Sequence, residues 1–172
     1  MIERTHNRDM WTTGTALFSD CERYRYLLRI VWQESGPTAV VVGLNPSTAT
    51  ETKNDPTIER LERWARRNGY GSLSMLNAYG FRSTDPAGLW TQSDPSGADN
   101  DRTIRAEFCR LGVSPVAAWG ANIKPDRQAE ILAIARECRV ELRCYALTKS
   151  GYPGHPLYMS DAQLDSPKAF AY

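Results

Sequence analysis

Four polar clusters punctuate this chain, each at the end of an apolar run or in a Gly/Pro-rich loop. They are Asn45-Pro46-Ser47 after "TAVVVGL", Asn77 to Arg82 after "SLSML", Trp119-Gly120 after "SPVAA", and His155-Pro156-Leu157 within "TKSGYPGHPLYM". The asparagine amides offer both a donor and an acceptor but no strong base. His155, one of two histidines, lies away from any apolar face and can donate, accept or carry a proton. A Ser-His-Asp hydrolase can be drawn from Ser47, His155 and Asp161. It lacks the Gly-x-Ser-x-Gly elbow, because Ser47 sits between Asn45-Pro46 and Thr48-Ala49. A phosphate-cradling P-loop is a poorer fit, since Gly43 is not followed by Gly-Lys-Ser/Thr at the required spacing. Plainer roles exist for each group: Asn45-Pro46 as a turn former, Asn77 as a backbone cap, and Trp119-Gly120 as structure.

The elements that must position these groups alternate in type. "RYRYLLRIVW" predicts a strand paired in a hairpin with "TALFS". "TAVVVGL" is too apolar for a strand with one wet face and suits the centre of a covered parallel sheet. Asp55-Pro56 predicts an N-cap with proline in the first turn, and Ile58, Leu61, Trp64 and Ala65 then share one helix face until Gly69. Strand "SLSMLNAYG", helix "NDRTIRAEFCRLG", strand "SPVAAWG", helix "DRQAEILAIARECR" and strand "VELRCYALT" follow. Such alternation implies βαβ units with right-handed crossovers. The expectation is an α/β fold: a three-layer α/β/α sandwich on a central four-stranded, mostly parallel sheet, with an N-terminal β-hairpin. The hairpin would span about residues 14–34 and the core about 38–160, within a single domain covering 1–172. In such sheets ligands bind beyond the carboxyl ends of the strands, where the polar clusters fall.

Composition bounds the class. At 172 residues, 41% apolar and 24% charged, the chain suits one globular domain, and no apolar run approaches a membrane span. No secretory signal opens it, so a cytoplasmic location is expected, with a monomer and no membrane partner. Cys21, Cys109, Cys138 and Cys144 form no Cys-x-x-Cys pair. Free structural thiols are therefore expected, with no metal site and no cofactor. A net charge of +1 neither requires nor excludes nucleic acid. Arg60, Arg63, Arg66 and Arg67, interleaved with Glu59 and Glu62, read as a solvated helix face.

In order along the chain, "GLNPS", "SMLNAYGFR", "AAWGAN" and "GHPLY" resemble the signature segments of the uracil-DNA glycosylase superfamily. Those segments are a Gly-x-Asp/Asn-Pro loop, strands ending Leu-Leu-Asn and Leu-Trp-Gly, and a His-Pro-Ser-Pro-Leu-type loop. The pattern from "GLNPSTA" to "GHPLY" also resembles a family of small bacterial and phage proteins of unknown function. The resemblance implies a uracil-DNA glycosylase-like fold and hydrolysis of the N-glycosidic bond of a flipped nucleotide, leaving an abasic site. It assigns Asn45 to the attacking water, with Pro46 stiffening its elbow. His155 would donate to a base oxygen as charge develops, and Asn77 would read the base edge. Tyr79 and Phe81 would stack on the flipped base, and Leu157 or Tyr158 would fill the vacated space. Arg82, Lys149, Ser150, Thr48 and the backbone amides of the Ser47 to Thr50 turn would hold DNA phosphates.

Two departures redirect the substrate. Where the uracil-specific branch has a bulky tyrosine after Asp-Pro, this chain has Ser47, which leaves room around the pyrimidine 5-position. The loop reads His-Pro-Leu instead of His-Pro-Ser-Pro-Leu, which shifts the register of wedge and phosphate contacts. The expected substrate is DNA carrying a 5-modified pyrimidine, such as hydroxymethylated or glucosylated phage cytosine, and the expected role is anti-phage defence. Alternatives are a uracil or mismatch repair glycosylase and a non-catalytic module that binds modified bases.

Overall fold

The computed structural model describes residues 1–110 and 112–170, the side chain of Pro86 excepted. Leu111, inside the span expected for the second helix, and the last two residues lie outside the described residues. The chain folds as mixed α/β around one sheet with strands β1 (Ile2–Asn7), β2 (Thr13–Phe18), β3 (Arg25–Val31), β4 (Thr38–Gly43), β5 (Ser72–Asn77), β6 (Val116–Ala117), β7 (Arg143–Cys144) and β8 (Lys168–Ala169). Its helices are α1 (Pro56–Arg67), α2 (Asn100–Phe108), α3 (Pro125–Glu137) and α4 (Asp161–Leu164). None of the helices is long and apolar enough to cross a membrane among the described residues.

The strand order is β1-β2-β3-β5-β4-β6-β7-β8. The expected four-stranded sheet is therefore corrected to an eight-stranded mixed one. Strands β5, β4, β6 and β7 pair in parallel, while β1-β2, β2-β3, β3-β5 and β7-β8 are antiparallel. The hairpin of β2 and β3 forms as expected but is not an appendage. β3 pairs with β5 through Leu28 opposite Met75 and Ile30 opposite Leu73, and Leu27, Leu28 and Ile30 are all buried. A strand covered on both faces needs neighbours on both edges, and β2 and β5 supply them.

The parallel block has its helices on both faces. Ala39 and Val41 of β4 share a core with Ile58, Leu61, Trp64 and Ala65 of α1. Val40 and Val42 point the other way, into a core with Ile104 and Phe108 of α2 and Ile131, Ile134 and Ala135 of α3. α1 forms as the sequence dictates: the Asp55 carboxylate accepts the Ile58 N–H (2.9 Å), Pro56 occupies the first turn, and the four apolar residues are buried. Burial of a side chain the size of Ile58 or Leu61 is worth about 1.5–3 kcal/mol. The path from β4 through α1 to β5 runs one way, and that from β5 through α2 to β6 crosses back over β4 on the opposite face. The direction of winding thus reverses at the carboxyl end of β4, where a crevice must open.

The expectation of free thiols is corrected for one pair. Cys109 and Cys138 are joined by a disulfide, while Cys21 and Cys144 are free. The two bonded cysteines are the C-caps of α2 and α3, which pack side by side, and this brings their Cα atoms to 4.9 Å.

Candidate functional site

A cavity of about 480 Å³ opens at the carboxyl end of β4 and β5, and Asn45, Ser47, Asn77, His155 and Tyr158 all line it. Three segments far apart in sequence converge because β4, β5 and the loop after β7 all end on the same edge. Beyond β5 the ladder continues briefly, with Ala78 N–H donating to Gly43 O (2.8 Å) and Tyr79 N–H to Leu44 O (2.8 Å).

Asn45 is held by its own donors. Its Nδ2 gives hydrogen bonds to Ser83 O (2.7 Å) and Pro46 O (3.1 Å), and Ser83 N–H returns one to Pro46 O (2.9 Å). With the NH2 consumed, Oδ1 is the group this side chain offers the cavity, and it is an acceptor. Asn77 is buried, and with its amide oriented to donate it meets Asn45 O and Leu76 O at 3.3 Å each. A Cβ on Gly43 would stand 3.1 Å from the Asn77 amide and 2.6 Å from the Met75 methyl, so only glycine lets both side chains lie across the strand end. Behind Asn77, the buried Asn100 donates to the Asn77 and Ala78 carbonyls (3.1 Å each). Arg127 adds a bond to Ala78 O (2.6 Å) while paired with Asp101 and Glu130.

His155 caps the 3₁₀ turn Pro156–Tyr158, its Nδ1 accepting the Leu157 N–H (3.3 Å). An accepting Nδ1 places the proton of the neutral ring on Nε2. Burial lowers the pKa of His155 below its ordinary 6.5, more than the attraction of Asp55 raises it. The imidazole is thus a neutral donor at pH 7.

The other residues expected at the site divide. Pro46 is buried beneath the cavity and acts through its carbonyl. Leu157 and Tyr158 stand exposed at the tip of the 3₁₀ turn, Tyr158 at 83%. Thr48, Lys149 and Ser150 are exposed and do not line the cavity. The stacking role of Tyr79 and Phe81 is corrected. Tyr79 is buried in the core under α2 and α3, its hydroxyl accepting the Lys124 N–H (3.1 Å) and its ring edge-on to Trp90. Phe81 packs edge-on against Tyr24 (5.6 Å) beneath Arg23. Apolar cavity surface comes instead from Ile58, Met75 and Trp119, so Trp119 is both core and lining. Arg82 turns away, donating to Glu22 O (3.3 Å) over the Phe18 ring.

Arg25 was not expected here. It is 1% exposed and lines the cavity; among the described residues its side-chain hydrogen bond runs from Nη1 to Ala49 O, and its Nε has no partner. Burial brings its pKa down to about 10, against the pull of Asp55. Its trace in the sequence is a charge inside "RYRYLL", where the strand is otherwise core. Among the described residues, no group of three or more His, Cys, Asp or Glu side chains is placed to hold a metal ion.

No curated protein and no solved structure matches this chain. A model of a protein family of unknown function, DUF1643, matches residues 25–157, from the buried arginine to the residue after His155-Pro156, and the chain belongs to that family.

Proposed function

We propose that this cavity is the active site of a DNA glycosylase that hydrolyses the N-glycosidic bond of a flipped-out, 5-modified pyrimidine. The observation that carries the reading is the convergence on one cavity of an amide acceptor, Asn45 Oδ1, and a neutral imidazole donor, His155 Nε2–H. Loss of a pyrimidine puts positive character on the sugar and negative charge on the base, and these two groups serve the two ends. In the proposed reaction the C1′–N bond breaks with its electron pair leaving on the base. A water held by Asn45 Oδ1 adds to C1′ and releases its proton to solvent, and the base takes up a proton. Asn45 is no strong base, so bond breaking precedes water attack. His155 stabilises the departing anion, a contribution of roughly 2.7–4 kcal/mol for one well-placed donor.

The four motifs that resemble the uracil-DNA glycosylase superfamily support the reading. Ser47 lines the cavity where a bulkier side chain would restrict it, which favours a substituted base. Leu157 and Tyr158, exposed beside the mouth, suit the wedge that replaces an extruded base. The enzyme would act on DNA in the cytoplasm, in anti-phage defence.

The test is base release. The protein is incubated with oligonucleotides carrying hydroxymethylated, glucosylated, uracil or mismatched positions and with modified phage genomes, and free base is measured by mass spectrometry. Release that falls at least a hundredfold in Asn45→Ala and His155→Ala is expected. Release undiminished in both would move the site elsewhere, and none on any substrate would end the proposal.

A further inference from the structure

We infer that the Arg25 end of the cavity is an anion subsite, holding a carboxylate or phosphate of the ligand. Arg25 brings a full positive charge into the interior, and no carboxylate among the described residues forms an ion pair with it. The side-chain bond it makes among the described residues, to Ala49 O, is within reach of a neutral donor that carries no charge-burial penalty. A second guanidinium, Arg82, adds repulsion to Arg25. It too bonds a backbone carbonyl, has an unpartnered Nε, and forms no carboxylate pair among the described residues.

Asp55, which also lines the cavity, attracts Arg25 without forming an ion pair with it and is committed to capping α1. Arg25 and Asp55 are the charged residues in the wall, and because the carboxylate is engaged by the Ile58 N–H while Arg25 Nε has no partner, the unsatisfied charge at this end is positive. The N-terminal turn of the twelve-residue α1, with Thr57 and Ile58 in the wall, contributes the same sign. Arg25 and Ser47 line the same cavity, so the subsite shares it with the space that Ser47 leaves open. An anion there would give Arg25 the partner it lacks.

The identity of the ligand rests on the glycosylase reading, whereas anion binding does not require catalysis. Under that reading the charge comes either from an acidic substituent at the pyrimidine 5-position or from a phosphate of the extruded nucleotide. Calorimetry and thermal melting with four probes separate these sources: inorganic phosphate, 2′-deoxycytidine, 2′-deoxycytidine 5′-monophosphate and 5-carboxy-2′-deoxycytidine. At least one charged nucleoside should bind tenfold or more tightly than 2′-deoxycytidine. That preference should vanish in Arg25→Met and persist in part in Arg25→Lys.

Preference for the carboxylated nucleoside assigns the subsite to the base, and preference for the monophosphate assigns it to the backbone. Charged and neutral nucleosides binding equally to the wild type, or an undiminished preference in Arg25→Met, would overturn the inference. If Arg25→Met does not fold, the wild-type ranking together with Arg25→Lys decides. Arg25-dependent anion binding without base release from any DNA would fell the glycosylase reading and leave the subsite standing.

Discussion

On the proposed reading His155 joins a structural and a chemical role in one ring, and one substitution should separate them. Its Nδ1 caps the 3₁₀ turn by accepting the Leu157 N–H (3.3 Å), which leaves the proton of the neutral ring on Nε2, the group proposed to face the substrate. Asparagine is a good capping residue with a shorter reach. His155→Asn should keep the turn and lose the donor, whereas His155→Ala loses both. Loss of a cap costs about 1 kcal/mol. Loss of a donor aimed at a developing anion costs roughly 2.7–4 kcal/mol, or about 10²–10³ in rate. Denaturant melts should therefore place His155→Asn within about 0.5 kcal/mol of wild type and His155→Ala about 1 kcal/mol below it. Single-turnover base release should fall a hundredfold or more in both. The pH profile adds an independent check. Burial lowers the pKa of His155 below 6.5, so the ring is neutral at pH 7 and release should be flat from pH 7 to 8. The unfolded chain takes up this proton more readily than the folded one. The ring's contribution to stability is thus present above pH 6.5 and is lost as pH falls through the lowered folded value. A rate that climbed tenfold per unit as pH fell from 8 to 6 would refute the neutral donor, and wild-type release in His155→Asn would refute the role.

Other perturbations address the scaffold around this ring. Asp55→Ala removes the N-cap of α1 and should cost about 1 kcal/mol in a urea melt, with the loss centred on α1 amides in hydrogen exchange. Reducing the Cys109–Cys138 disulfide, whose sequence separation is 29, should lower stability by up to about 3.5 kcal/mol on a chain-entropy basis. Melting with and without reductant measures it, and Cys138→Ser should be insensitive to reductant. Leu157→Ala and Tyr158→Ala, both at exposed positions, should leave the melting temperature nearly unchanged while weakening binding to duplex more than to single-stranded DNA, as gel shifts can show.

The parts of the fold legible in the sequence are those whose signal is local. β4 and β5 are apolar runs ended by a turn residue, and α1 advertises its cap, its proline and its buried face within fourteen residues, Asp55 to Asn68. β1 gave no such signal: "IERTHN" is an exposed, polar edge strand whose place comes from its register with β2. The strands expected at "SPVAAWG" and "VELRCYALT" shrink to two paired residues each, since apolar composition marks burial, not the length of the ladder. Asn45, Asn77 and His155 were legible because they follow strands or sit in a loop at the sheet's carboxyl edge. Tyr79 was misread because Leu76, Ala78 and Tyr79 all enter the core beneath α2 and α3, so alternation breaks just after Asn77. The disulfide was illegible because helix packing, not spacing, brings two C-caps together.

The antiparallel strands ahead of the matched family region bear on the site through the loop that follows Asn45-Pro46-Ser47. Arg8, just beyond β1, donates from Nε to Glu51 O (2.8 Å), from Nη2 to Thr50 O (2.8 Å) and from Nη1 to the Asn54 amide oxygen (2.6 Å). One planar guanidinium thereby fixes the loop over five residues, Thr50 to Asn54. β2 presents Gly14 beneath it, where a Cβ would lie 2.1 Å from Glu51 O, so the loop can descend onto the strand only at a glycine. The same loop contributes Ala49 O to Arg25 and runs on into the Asp55 cap of α1. The hairpin and the loop therefore brace, from behind, the stretch of cavity wall to which Arg25, Asp55, Thr57 and Ile58 contribute. Asn45 is oriented by the Ser83 and Pro46 carbonyls. The Asn45 amide is thus held by two backbone carbonyls, and the loop that follows it is clamped to the hairpin, which is the rigidity that the proposed positioning of a single water demands.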